Sequence, residues 1–269
     1  MSGDFRTQLT SLLQTLHHDN RHVLERDINE IIAARVDDLE AALSTLENNE
    51  AAPSLRIALC WVVLELDPEQ ALPGLIRVLT NPHHEPPVRQ AAAAALNGHP
   101  AALQSLLKIA RSDPDPRVRG NVIGSLAWFH DSDDVLNTLL HILREDRNQQ
   151  VKLWTIHALG WLDDPRAVDP LINLLSNRKQ HPELRAQAAE SLALLKATGA
   201  VPALIEALYD DHADVRFWAV FALGQIGDQR ALPMLERLAQ RDTQRTPGWW
   251  EVGLEAAAAI QMILSRHRQ

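Results

Sequence analysis

An aliphatic residue followed by a basic one returns through this chain at near-constant intervals: Leu55-Arg56, Val88-Arg89, Val118-Arg119, Val151-Lys152, Leu184-Arg185 and Val215-Arg216. The basic positions lie 33, 30, 33, 33 and 31 residues apart. A leucine keeps the same beat in another phase, at Leu75, Leu106, Leu139, Leu171, Leu204 and Leu235, spaced by 31, 33, 32, 33 and 31. Two markers sharing one period describe an array in which each unit buries its apolar face against its neighbours. Positions common to all units serve stacking, so function is sought where the units differ.

Each unit reads as two helices. Counting Val215 as zero, Ala219, Ala222, Leu223 and Ile226 fall at +4, +7, +8 and +11, one narrow arc at about 100° per residue. Gly227 suits the residue just past that helix, and Pro233 suits the first turn of the next. The unit at Val151 runs through Thr155, Ala158, Leu159 and Leu162 and turns at Asp163-Asp164-Pro165; the unit at Leu184 runs through Ala188, Ser191, Leu192 and Leu195 into a turn at Gly199. The first 52 residues, with Leu9, Leu12, Leu13, Leu16, Ile28, Ile31 and Ile32, read as a cap or degenerate repeat. Residues 53–242 are the regular repeats, and 243–269 hold a capping helix with Ala256, Ala259 and Ile260. The whole chain, 1–269, is expected to be one solenoid domain.

The pattern V-R-x-x-A-x-x-A-L-G, with a following D-P and A-x-P-x-L-I, resembles the HEAT-like repeats of the phycobilisome-lyase type. The resemblance implies an all-α, right-handed α-solenoid of stacked helix pairs. It also implies that positions +2, +3, +6 and +10 of the second helix of each pair line a concave surface. Those positions carry Asn121, Gly124 and Trp128 in one unit, then Trp154, His157 and Trp161, then Gln187, Glu190 and Leu194, then Phe217, Trp218, Phe221 and Gln225. Four of the seven tryptophans fall there, whereas the unit at Val88 has Ala91, Ala94 and Gly98. Aromatic anchors among a few polar groups are the composition of a binding hot spot. His157 and Glu190 share +6 in adjacent units and are expected to approach one another. From Arg216 to Gly253 the spacing widens to 37 residues, and the added segment carries Trp249 and Trp250, a candidate lid.

Other chemistry is thin. A formal charge of −9 argues against a nucleic-acid or membrane partner. The opening MSGDFRTQLTSLLQ is amphipathic rather than signal-like, and no apolar run reaches about 18 residues, so a cytoplasmic location is expected. Cys60 is the single cysteine and reads as a small buried hydrophobe. The di-iron hydroxylases of the resembling family hold metal with His-Glu pairs on inner helices. Here the one such pair, His84-Glu85, falls in a loop, so no metal, cofactor or catalytic residue is expected. Arg89, Arg119, Arg185 and Arg216 are expected to form a structural ladder with the loop carboxylates Glu85, Asp115, Glu183 and Asp214. The leading functional expectation is a non-enzymatic scaffold or adaptor, in a possible hetero-oligomer. It binds a protein or peptide on the concave face of its C-terminal half. The alternative is a phycobilin-lyase-like or chaperone subunit binding a linear tetrapyrrole or its acceptor protein.

Overall fold

The computed structural model describes residues 38–246 and 248–266, Glu65 by its backbone alone. The helices expected around Leu9–Leu16 and Ile28–Ile32 lie outside the described residues. Within them the chain is all-α, with fourteen α-helices in two compact units, Met1–Trp128 and Phe129–Gln269. The first unit contains α1 (Leu39–Glu47), α2 (Pro53–Leu66), α3 (Pro68–Thr80), α4 (Pro86–Ala95), α5 (Leu103–Ser112) and α6 (Pro116–Leu126). The second contains α7 (Asp133–Glu145), α8 (Gln149–Trp161), α9 (Val168–Ser176), α10 (Pro182–Leu194), α11 (Val201–Ala207), α12 (Ala213–Ile226), α13 (Leu232–Arg241) and α14 (Val252–Arg266). In each unit an odd helix packs on the even helix that follows it. Successive even helices also pack on one another, giving a solenoid layer.

Local chemistry sets these boundaries. Proline occupies the first turn of α2, α3, α4, α6 and α10, where its missing N–H removes no helix bond. Asp38, Asp67 and Asn148 accept backbone N–H groups of the first turns of α1, α3 and α8 at 2.8, 3.1 and 3.0 Å. Beyond five even helices the chain turns through a left-handed residue: Gly98, Asp131, Asp163, Lys196 and Gly227, with φ of 72°, 62°, 56°, 47° and 85°. Gly227 and Asp163 fall where the sequence places the turns. In the repeat that starts at Leu184, Lys196 makes the turn, while Gly199 lies within a short 3-10 segment. All six leucines of the second marker are fully buried.

The basic marker is structural, through partners other than those its loops suggest. Arg89 donates to the Leu79 carbonyl at 2.9 Å and forms a buried ion pair with Asp113. Arg185 reaches Asp210 at 2.8 Å, and Arg216 reaches Asp242 at 2.7 Å. These acids follow the next odd helix, 24, 25 and 26 residues after their arginines. The carbonyls of Asp113 and Asp210 meanwhile accept from Arg119 at 2.8 Å and Arg216 at 2.7 Å. Each of these aspartates thus ties two successive arginines, one through its side chain and one through its backbone. The carboxylates beside the arginines serve elsewhere: Asp115 holds Arg117 at 2.8 Å, Glu183 accepts from Gln149 at 2.7 Å, and Glu85 pairs with Arg56 at 2.7 Å.

His84 completes the Arg56 site, its Nδ1 2.6 Å from the guanidinium. Burial, then the adjacent charge of Arg56, holds its imidazole below the usual histidine range. The His-Glu pair therefore braces a buried arginine. Among the described residues no group of three or more His, Cys, Asp or Glu is arranged to hold a metal ion. Cys60 is fully buried, and burial pushes its thiol up to about 12, which leaves it protonated and inert. No described helix is long and apolar enough to cross a membrane.

Candidate functional site

In the second unit the +3, +6 and +10 positions lie off the buried stripe of +4, +7 and +8 and are half-buried or exposed. On α8, Trp154 is half-buried while His157 and Trp161 are exposed, Trp161 to 56%. The Trp161 indole donates to His157 Nε2 at 3.0 Å, one helical turn back. On α10, Gln187 donates to Glu190 at 2.6 Å, and Leu194 is exposed. His157 and Glu190 are thus each paired within their own helix, contrary to the expected approach. The reason is spacing: a partner three or four residues away on the same helix is nearer than one across the layer.

The aromatic residues of α12 form a cluster with the added segment. Trp218 meets Phe217, Phe221 and Trp249 with ring centroids 5.5 Å apart in each case, near perpendicular. Trp249 and Trp250 lie 5.8 and 6.1 Å from Phe217 and 5.6 Å from each other. Such edge-to-face pairs add about 0.5–1.5 kcal/mol beyond burial. Phe217 is 1% exposed, so it supports the cluster from beneath and presents no face of its own. Trp249 and Trp250 remain about half exposed, and Gln225 is half-buried at the far end of α12.

The connection that brings these two tryptophans back is fastened at its base. Val252 donates to Gln244 at 3.0 Å, Gly253 donates to Asp242 at 2.9 Å, and Arg245 bridges to Glu251. The Trp250 indole donates to Glu255 of α14 at 2.8 Å, and burial holds that carboxyl above the usual carboxylate range. Two indoles thus lie against Phe217, and one of them, Trp250, is latched to a buried acid.

In the first unit Asn121 and Gly124 are exposed, and Trp128, just past α6, is 65% exposed. Trp128 lines a cleft of about 550 Å³ together with Trp61 and Leu64 of α2, Ala94 of α4, Asn97 and His99. Sequence reasoning passes over Trp61, although it stands six residues after Leu55, at the same +6 position as His157. The rule that selects the other indoles also finds this one.

Compared with known protein families, the chain matches HEAT repeats over residues 39–127, 103–180 and 168–247. It belongs to the HEAT repeat family. The first matched repeat opens at α1, which packs on α2 as later odd helices pack on their partners. Over 84 residues this HEAT protein is 43% identical to the bilin biosynthesis protein PecE of Nostoc sp. (strain PCC 7120 / SAG 25.82 / UTEX 2576). Its identity to PecE of Mastigocladus laminosus is 40% over 84 residues. Those matches take in 31% of this chain and 32% and 30% of the relatives, so they span about a third of the curated proteins' length. Among solved structures it is similar to the Kap95:Nup1 complex, with a TM-score of 0.64 and 13% identity over 97% of this chain and 40% of that one. At that identity the likeness concerns the fold alone.

Proposed function

We propose that this HEAT protein is a bilin-lyase-like or chaperone subunit. It engages a protein partner through the aromatic layer of its second unit and handles a linear tetrapyrrole or its acceptor protein. The observation that carries this reading is the identity of 43% and 40% to two bilin biosynthesis proteins. It is supported by the way this chain spends its tryptophans. Trp128, Trp161, Trp249 and Trp250 are all about half exposed or more, where a residue needed only for stacking would be covered. Indoles offer flat apolar faces to a conjugated ligand or to a partner's hot spot. A hetero-oligomer follows as the working form.

The test is to add biliverdin to the purified chain and follow tryptophan emission and the bilin's visible band. The expected result is saturable quenching together with a shifted visible band. A scaffold without tetrapyrrole chemistry leaves both signals as simple sums of the components, and that result would sink the lyase-like reading.

A further inference from the structure

We infer that the cleft of the first unit is the seat of the linear tetrapyrrole, an inference that rests on the proposed function and locates its ligand. The cleft exists because of one contrast between repeats. α4 packs between α2 and α6 in the even layer. Its +6 residue is Ala94, whereas α2 carries Trp61 at +6 and α6 is followed by Trp128 at +10. Small side chains on the middle helix, between indoles supplied from both neighbours, leave a trough of about 550 Å³. That volume lies within the range of about 300–1,000 Å³ typical of small-molecule sites.

The lining chemistry narrows the occupant. Two indole faces and Leu64 favour a flat conjugated molecule. Asn97 offers a donor and an acceptor through its amide, and His99 offers two ring nitrogens. A linear tetrapyrrole presents the complements, pyrrole N–H groups and terminal lactam carbonyls. None of the described lining side chains is a carboxylate, a lysine or an arginine. The propionates of such a ligand would therefore extend through the mouth of the cleft into water, and its conjugated rings would carry the binding.

The experiment titrates biliverdin into the full chain, comparing wild type with Trp128→Ala and Ala94→Leu, each confirmed as folded by its unfolding midpoint. Trp128 is exposed, so its truncation removes ligand contact with little packing. Ala94→Leu fills the trough while removing nothing. The expected result is affinity weakened roughly tenfold or more in both variants, with biliverdin dimethyl ester binding wild type within about threefold of the free acid, since no described lining side chain is a lysine or arginine that would read the propionates. If wild type binds biliverdin and both variants bind it equally well, the cleft is not the seat, while the proposed function stands. Loss of binding on esterification overturns the inference in the same way. If wild type binds no biliverdin, the tetrapyrrole reading falls with the inference.

Discussion

Replacing Asp113 with alanine is expected to cost the first unit about 3–5 kcal/mol, because it strands a buried guanidinium without its counter-charge. Arg89 and Asp113 have side chains only 3% and 2% exposed. Asp113 also accepts the Asp115 N–H at 3.0 Å and, through its carbonyl, Arg119 at 2.8 Å, so its side chain organises the connection before α6. Equilibrium urea unfolding is the measurement. The paired variant Arg89→Met/Asp113→Leu should recover most of the loss, since removing both charges leaves nothing unpaired. A cost under about 1 kcal/mol for Asp113→Ala would show that the pair behaves as a surface ion pair and that the ladder does not hold the repeats.

Gly160→Val is the second large effect, expected at about 1–3 kcal/mol or more. A Cβ on Gly160 would stand 2.9 Å from Ser191 Cβ and Oγ and 3.0 Å from its Cα, so α8 and α10 must separate to admit it. That separation also strains the hydrogen bond from Ser191 Oγ to the Ile156 carbonyl, 2.9 Å long. Gly124 is the contrast, because an added Cβ there meets nothing within 4 Å. Gly124→Ala should therefore stabilise by up to about 1 kcal/mol through helix propensity alone. Thermal unfolding of the two variants should move the melting temperature in opposite directions. Equal shifts would mean that close approach of neighbouring even helices does not set the packing.

The scaffold is legible in the sequence where physical demand repeats. Leu75 to Leu235 are buried because every unit needs an apolar contact at that place, and period alone reveals it. The arginine ladder is half legible. Recurrence identifies the arginines as structural, but a guanidinium reaches across to the connection after the next odd helix, and proximity in sequence then points to the wrong acids. The left-handed turn is visible at Gly227 and hidden at Lys196, since lysine gives no sign of positive φ. The aromatic surface is legible in register, because +3, +6 and +10 follow from helix geometry once the zero is fixed. Its pairings are not. His157 binds Trp161 and Glu190 binds Gln187 because side chains choose the nearest partner, which a period does not specify. Phe217 at +2 lies nearly opposite the core stripe, yet it is buried, because Trp218 and the two indoles of the added segment pack on it.

The central claim is that shared positions make the scaffold while the indoles at +3 and +10 of the even layer make the binding surface. Affinity capture from the native host tests it most directly, comparing wild type with Trp154→Ala/Trp161→Ala/Trp218→Ala, each with its urea unfolding curve. Truncation at a hot spot costs on the order of 2 kcal/mol per residue, so the triple variant is predicted to stay folded and to lose its partner. A folded triple variant that retains every partner would contradict the claim, and one that unfolds would show that these indoles are packing.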